Sequence, residues 1–355
     1  MKTYRLISLS LIVLAFTSCD DGLDKDISIA GVTVTQNENV VSDGLTLNVK
    51  KGEPIEFVFS GDPDNIVFFS GEEGSNFEYR NRTTIDPSQI VSSTLSVDVN
   101  TQWSGGYDNL FSMYMSESFT GLFKNDFQQD CQLLKDFSEW GEWVEQEEIP
   151  DAPNVTRHFE KDMKPYLSKN LTLAINVHPH DETKQQPRLN FNNLKITNVL
   201  DNGSTVVLYA SEFGLTPVNI WSSDLSNITL DPNLSKVSGY YDASGKLVES
   251  ALWYGTVNLN IWGMWNLVNA SKGNLFVHSV PVGKGLRESW LVSDYLVINS
   301  CIPDKGITIK NISNNITSYK FIYEHEGTYS ATFLMTNSNY KNEDSKVITM
   351  VVNVK

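Results

Sequence analysis

Both ends of the chain alternate apolar and polar residues with a period of two. The alternation recurs in segments separated by Gly-, Pro- and Asn-rich turns, namely residues 32–34, 45–49, 55–59 and 66–69 near the start and 319–323, 329–335 and 347–354 near the end. Because side chains of a strand point alternately to its two faces, this pattern predicts antiparallel strands with one buried face. A polar loop is predicted over residues 337–345.

The middle of the chain continues the strand pattern, with one exception. Short alternating segments occur at residues 94–100, 110–115, 171–177, 189–197 and 205–210. Many short strands at such spacing predict a β-sandwich or jelly roll. Residues 123–144 differ, because apolar residues recur there every three or four positions and predict a short helix.

Two terminal segments resemble a known module. Residues 52–63 (GEPIEFVFSGDP) resemble the opening strands of PKD-type immunoglobulin-like (Ig-like) domains, and residues 323–355, with Glu326-Gly327-Thr328-Tyr329 and Asn339-Tyr340, resemble the closing strands. Insertion of a domain into a surface loop is physically tolerated. The resemblance implies an all-β chain in which an Ig-like sandwich, residues 29–84 plus 318–355, is split by an inserted jelly-roll-like β-sandwich, residues 85–317.

The first residues have the order of an export signal. Basic Lys2 and Arg5 precede an apolar run over residues 6–16, which is too short to span a bilayer as a helix, and small residues then lead to Cys19. The segment resembles a bacterial lipoprotein signal. This implies removal of residues 1–18, a lipid on Cys19, and a tether over residues 19–28 whose acidic start resembles surface-export tags. We therefore expect an outer-membrane protein, lipid-anchored and facing the cell exterior.

The net charge and the composition of the chain limit the classes of partner that it can bind. The chain of 355 residues has a net charge of −16 and no basic stripe, so nucleic acid is excluded as a partner. Membrane attachment must then come from lipid on Cys19 rather than from electrostatics. Hydrophobic residues make up 40% of the chain, enough for real cores. Cys131 and Cys301 could pair in an oxidising compartment or remain as two buried thiols.

Several short sequence segments of the middle region resemble segments of a known protein family. Residues 108–116 (DNLFSMYMS), 290–293 (WLVS) and 303–306 (PDKG), with Lys310-Asn311, resemble surface lipoproteins of Bacteroidetes that sit in glycan-utilisation systems. The resemblance implies non-catalytic capture of a poly- or oligosaccharide, without a cofactor. It also implies delivery to an outer-membrane importer, with that importer or other surface lipoproteins as partners.

Sugar-binding sandwiches use flat aromatic faces together with amides and carboxylates. Residues 253–262 are predicted as a strand, and their aromatic and amide side chains, together with two tryptophans expected on exposed loops, form the predicted glycan site: Tyr254, Asn258, Asn260, Trp262, Trp265 and Trp221. The alternative is structural. Another segment could cover the strand, and tryptophan is more often a core residue.

Other constellations have weaker support. Carboxylates beside Trp140 and Trp143 could serve a glycosidase but are better interpreted as a solvated edge: Glu139, Glu142, Glu145, Glu147 and Glu148. Two histidines on one strand face lack the further ligands that zinc needs, and three aspartates lack calcium-loop spacing: His178 and His180; Asp62, Asp64 and Asp86. No hydrolase elbow or nucleotide motif occurs. The two rival functions are a glycoside hydrolase and an adhesive or structural protein that docks another protein.

Overall fold

The structure is a computed structural model that describes residues 27–144, 152–338 and 343–355. The predictions for the signal, Cys19 and most of the tether lie outside these residues, as do Glu145, Glu147 and Glu148. Within the described ranges, no helix combines the length and the apolar character that crossing a bilayer requires.

Strands dominate the described chain. Twenty strands follow one another: β1 (Gly31–Val34), β2 (Val40–Ser42), β3 (Thr46–Val49), β4 (Pro54–Ser60), β5 (Asn65–Phe69), β6 (Ile90–Gln102), β7 (Phe111–Ser116), β8 (Gly141–Glu142), β9 (Thr156–Asp162), β10 (Thr172–Val177), β11 (Arg188–Leu200), β12 (Thr205–Tyr209), β13 (Thr216–Val218), β14 (Trp265–Asn266), β15 (Leu275–Val277), β16 (Ser289–Val292), β17 (Ile307–Lys310), β18 (Ser318–Ile322), β19 (Gly327–Ser338) and β20 (Glu343–Val354). Two α-helices accompany them, α1 (Phe127–Asp136) and α2 (Ser250–Trp253).

The chain divides into two compact units. Unit 1 comprises the residues up to Arg82 together with Pro303–Lys355, and unit 2 comprises Thr83–Ile302. The predicted end of the insertion, residue 317, lies later than this division. The reason is β17, which pairs antiparallel with β5 and so adds residues 307–310 to the sheet of unit 1.

Unit 1 is a β-sandwich of two sheets. One sheet has the order β1-β4-β18 and the other the order β17-β5-β19-β20-β3-β2, with β20 and β3 parallel. Phe57 of β4 packs against Phe68 of β5 and Phe333 of β19, with ring centroids 5.7 and 4.9 Å away. These aromatic contacts join the inner faces of the two sheets, as the alternation of apolar residues requires.

The hairpin of β19 and β20 is longer than the apolar pattern predicts. Register continues outward to the pair Ser338–Glu343, so Asn337, Ser338 and residues 343–345 belong to strands rather than to the predicted loop. Backbone hydrogen bonds of an antiparallel ladder do not depend on side-chain polarity. The prediction of a polar loop over 337–345 is therefore wrong at both of its ends.

Unit 2 is a second β-sandwich. Its sheets have the orders β13-β16-β10-β7-β8 and β14-β15-β11-β6-β9, with β12 also paired to β11. Phe111 of β7 meets Phe191 of β11 edge to face at 5.6 Å, which joins the two inner faces. The prediction of an all-β, sandwich-type fold is confirmed. The PKD-type and jelly-roll assignments stay predictions.

The two sheets of unit 2 differ on their outer faces. Helix α1 begins at an N-cap, Asp126, whose side chain accepts a hydrogen bond from the backbone N–H of Gln129 at 3.0 Å. Its apolar residues Phe127 and Leu134 are buried in a cluster with Trp290 and Val292 of β16, so the helix covers the five-stranded sheet.

Cys131 lies in the same cluster, and burial raises the pKa of its thiol to about 11. Cys131 and Cys301 are both buried, and no disulfide joins them.

Candidate functional site

Two tryptophans of the predicted glycan site are core residues. Trp265 is 0% exposed, packs in the main core of unit 2 and donates from Nε1 to Ser289 Oγ at 2.8 Å. Trp221 is 5% exposed, and the Arg287 guanidinium carbon lies 4.4 Å from its ring centroid. The prediction that both are exposed on loops is wrong, since both indoles are buried in hydrophobic clusters of unit 2.

Tyr254 serves the packing of helix α1. Its hydroxyl donates to Asp130 Oδ2 at 2.5 Å, and its ring meets Phe127 edge to face at 5.7 Å. Asp130 is fully buried and also accepts the backbone N–H groups of Phe123 and Lys124. Burial, and then the bond to Asp130, raises the pKa of Tyr254. This side chain therefore ties together two segments and is not free to orient a sugar.

The strand predicted over residues 253–262 is absent. Trp253 ends helix α2 and stacks on Phe127 at 5.1 Å, and the residues after it form turns. Buried apolar residues there do not alternate; they pack in a small separate cluster with Leu234 and Tyr240. Gly255 and Gly263, the latter with φ +68°, favour turns over a strand.

Asn258, Asn260 and Trp262 are consequently not aligned on one strand face. The two asparagines are exposed, whereas Trp262 is half-buried. The backbone carbonyl of Trp262 accepts from Arg287, and the Lys284 ammonium lies 5.9 Å from its ring centroid. Tyr254 and Trp262 thus have different partners, and the predicted platform on one strand face is not assembled.

A different polar surface lies on the outer face of the six-stranded sheet of unit 2. We call it the amide face and define it by Asn100, Gln102, Arg188, Asn190 and Phe276. Register places Arg188 opposite Gln102, and Asn190 opposite both Asn100 and Phe276, so all five side chains share one side. All five are half-buried. The intervening residues, such as Leu189 and Val99, point into the core.

Hydrogen bonds connect the amide face into a chain. Arg188 Nε donates to Asn190 Oδ1 at 2.8 Å, and Asn190 Nδ2 donates to Asn100 Oδ1 at 2.9 Å. The guanidinium carbon of Arg188 lies 3.4 Å from the Phe276 ring centroid. Arg188, Asn190 and Asn100 are therefore held in place while some donors remain available, which is how a pre-organised binding surface is built.

Trp103 extends the amide face at the end of β6. It is 43% exposed and has a φ of +68°, a left-handed conformation that is rare for a bulky residue. Its carbonyl accepts a hydrogen bond from the Tyr107 hydroxyl at 2.8 Å. Its ring centroid lies 5.8 Å from that of His278, which follows Phe276 by two residues. An exposed indole thus borders the amide face.

Two titratable groups here are shifted by their surroundings. Burial, and to a smaller degree the charge of Arg188, lowers the pKa of His278, so this imidazole is neutral at pH 7. Partial burial also lowers the pKa of Arg188, which remains charged because guanidinium pKa values start above 12. The charge of Arg188 is therefore the one that a ligand would meet at this end of the face.

A histidine–carboxylate cluster lies beside the amide face. His158 Nδ1 lies 2.6 Å from Asp98 Oδ1 and its Nε2 lies 3.1 Å from Glu160 Oε1, while Asn193 Nδ2 donates to Asp98 Oδ2 at 2.6 Å. The bonds to Asp98 and Glu160 raise the pKa of His158. Burial acts to raise the pKa of Asp98, but the bonds from Asn193 and His158 outweigh it and the pKa is lowered.

This cluster makes a prediction for pH titration. The imidazole of His158 is expected to titrate with a midpoint above the ordinary 6.5, because its protonated form gains both carboxylate bonds. The stability that His158 contributes is then present below pH 6.5 and lost as the pH rises through its folded-state pKa, whereas that of Asp98, whose pKa is lowered from 3.8, is lost as the pH falls through its own folded-state pKa. Histidine chemical shifts followed by NMR measure the midpoint.

Asp98→Asn should lower that midpoint by more than Glu160→Gln does, since the bond to Asp98 is the shorter and the dominant one. A wild-type midpoint at or below 6.5 would contradict the assignment.

The acidic residues near Trp143 line a separate cleft of about 310 Å³. Glu139 and Glu142 border it together with Tyr166, and Glu139 Oε2 accepts from Ser118 Oγ at 2.6 Å. A glycosidase requires two carboxyl groups at a defined separation across the bond to be cleaved, and the glycoside hydrolase stays an untested alternative.

The predicted metal-ligand candidates have other contacts. His178 Nε2 lies 3.2 Å from Ser112 Oγ, and His180 Nε2 lies 3.9 Å from Asp108. Asp86 caps a turn by accepting the Ser88 N–H at 2.9 Å. In the part of the chain that the structure describes, no three His, Cys, Asp or Glu residues are arranged to hold a metal ion.

The sequence did carry a signal for the amide face. Residues 188–192 read Arg-Leu-Asn-Phe-Asn, so the polar side of this central strand carries a guanidinium and amides in place of threonines or charged pairs. Finding the site would have required the register of β11 with β6 and β15. The glycan site was instead predicted mainly within residues 253–265, because aromatic residues are frequent there.

Comparisons with known proteins place the chain in a family. No curated protein and no solved structure matches it. One family model, described as Domain of unknown function (DUF5017), matches residues 32–213. The matched range includes Asn100, Trp103, Arg188 and Asn190 of the surface described above, and excludes Phe276. Because this match spans more than half of the sequence, the chain belongs to the DUF5017 family.

Proposed function

We propose that this protein is a cell-surface lipoprotein that binds a poly- or oligosaccharide non-catalytically, through the amide face and Trp103. The lipid on Cys19 would anchor it in the outer membrane, and the bound glycan would pass to an outer-membrane importer. The observation that carries the proposal is the hydrogen-bonded chain of Arg188, Asn190 and Asn100 on a half-buried sheet face.

Amide side chains suit sugar hydroxyls because each offers both donors and acceptors. On the amide face, Asn190 uses its oxygen towards Arg188 and its nitrogen towards Asn100. Asn100 keeps its Nδ2, and Gln102 its whole amide, for a ligand: neither makes another side-chain bond among the described residues. A row of such groups along a sheet could follow several units of an extended chain.

Trp103 supplies the aromatic surface. An indole face accepts the apolar face of a pyranose ring, and truncation of a tryptophan at a binding site often costs 2 kcal/mol or more. Holding a non-glycine residue at a φ of +68° costs about 1–2 kcal/mol. Strain of this kind persists at positions where it serves a function. The exposed, strained indole therefore supports a binding role.

Replacing Trp103 by glycine tests the proposal. Retardation of the protein in gels that contain a panel of soluble polysaccharides should fall about tenfold or more for the glycan that binds wild type. Stability should change little, because glycine removes the backbone strain while the lost indole contacts are partly exposed. Affinity electrophoresis and chemical denaturation measure the two quantities.

Tyr295→Ala is the matched control, since Tyr295 is also an exposed aromatic residue of unit 2. Wild-type protein that is retarded by no polysaccharide of the panel would overturn the proposed function. Equal losses in the Trp103 and Tyr295 variants would move the site away from the amide face.

A further inference from the structure

We propose that the amide face selects saccharides that carry an anionic group, a carboxylate or a sulfate, which the guanidinium of Arg188 binds. The inference rests on the proposed function and names the class of glycan that the same surface takes.

Among the residues that the structure describes, Arg188 forms no ion pair with a carboxylate, although the chain is rich in carboxylates. The sequence holds 43 Asp and Glu residues against 27 Lys and Arg. Within the described ranges, other cations such as Lys124, Lys169 and Arg82 form ion pairs with carboxylates. Within the described ranges, the one side-chain hydrogen bond of Arg188 runs from Nε to the neutral Asn190, so its two terminal nitrogens keep their donors for a ligand.

The guanidinium is fixed before any ligand arrives. Its carbon lies 3.4 Å from the Phe276 ring centroid, and its Nε is bonded to Asn190. A planar fork held in this way can donate two parallel hydrogen bonds to a carboxylate or sulfate. Because the side chain is already ordered, little rotamer entropy remains to be lost on binding.

The described neighbours of Arg188 on the amide face carry no negative charge. Its neighbours on the face are the amides of Gln102 and Asn190 and the neutral imidazole of His278. The nearest acidic residue in the register is Asp98, which already engages His158 and Asn193. An anionic substituent is therefore the ligand group that pairs this charge.

The net charge of −16 opposes approach of a polyanion only at long range. Repulsion between exposed charges is largely screened beyond about 8 Å at physiological ionic strength, whereas a contact pair at a half-buried site is screened less. We thus expect the preference for anionic glycans to survive near 0.15 M salt, roughly the physiological value.

The experiment compares matched polysaccharide pairs in affinity electrophoresis. One arm uses polygalacturonate against its methyl ester, and the other uses a sulfated galactan against its desulfated form. Wild type should be retarded at least about tenfold more strongly by the anionic member of one pair, as one charge-assisted bidentate contact allows. The arm that shows the preference identifies carboxylate or sulfate as the group bound.

Arg188→Gln should abolish the preference, and Arg188→Lys should lose most of it, because an ammonium cannot make the planar paired contact. Arg80→Gln is the matched control: Arg80 stacks on Phe77 at 3.7 Å in unit 1 and should leave retardation unchanged.

Equal retardation of wild type by both members of both pairs overturns this inference and leaves the proposed function standing; that comparison needs no variant. A preference that persists in Arg188→Gln also overturns it. Failure of every polysaccharide to retard wild type overturns the proposed function and the inference together.

Discussion

Replacing Trp265 by alanine is expected to lower the free energy of unfolding of unit 2 by about 3–5 kcal/mol, the range measured for removal of large buried aromatic side chains. Trp265 is 0% exposed and lies near Phe191, with ring centroids 5.8 Å apart. Its loss would leave a cavity at the centre of the sandwich, and Ser289 Oγ would lose the hydrogen bond that it accepts from the indole N–H. Denaturation by guanidinium, followed by circular dichroism, measures the change.

Trp103→Ala is the appropriate comparison, since it removes the same side chain from an exposed position. It should shift the denaturation midpoint far less than Trp265→Ala. If the two variants lose similar stability, or if Trp265→Ala is as stable as wild type, the assignment of Trp265 to the core is wrong and its role as a glycan platform must be reconsidered.

Replacing Arg287 by alanine is expected to cost a similar amount, about 3–5 kcal/mol, as is typical when one partner of a buried charged network is removed. Arg287 is fully buried, and burial lowers its pKa to about 10, so it is still charged at neutral pH. It donates to the backbone carbonyls of Trp262 and Thr229 and stacks on Trp221. Without it, these carbonyls and the buried carboxylate of Asp231 lose their cationic neighbour.

Arg287→Met separates packing from charge. Methionine restores much of the stem that fills the space beside Trp221 but donates no hydrogen bond, so this variant should fall between wild type and Arg287→Ala. Hydrogen exchange should rise first in residues 221–264, whose small cluster the arginine braces. An alanine variant that unfolds within about 0.5 kcal/mol of wild type would contradict this account, since that is the scatter of surface substitutions.

Most strands could be predicted from the sequence, because apolar and polar residues alternate along a half-buried strand. Residues 94–100 and 189–197, predicted as strands, lie inside β6 and β11. The short helix was also foreseeable, although α1 covers only Phe127–Asp136 of the predicted range. These successes concern local patterns, in which neighbouring residues decide the outcome.

The prediction of the glycan site failed because the positions of its residues depend on residues that are distant in the sequence. Trp221 and Trp262 both lie beside the guanidinium of Arg287, which follows them in the chain. The residues next to Arg287 in the sequence do not indicate that it is buried. The amide face draws side chains from β6, β11 and β15, so its existence depends on pairings that no single segment encodes. Tertiary register, rather than composition, creates such a surface.

The discontinuity of unit 1 sets the order in which the chain can fold during synthesis. Strands β3, β4 and β5 emerge early, yet their partners β20, β18 and β17 are made only after all of unit 2. Unit 2 is continuous, and pairing of Thr83 with Cys301 and of Ile85 with Asn299 closes its two ends together. Once folded, it replaces a long flexible loop by a short link and reduces the entropy cost of completing unit 1. A mutation that slows folding of unit 2 would thus prolong the time for which the nascent edges of β3 and β5 stay open to aggregation.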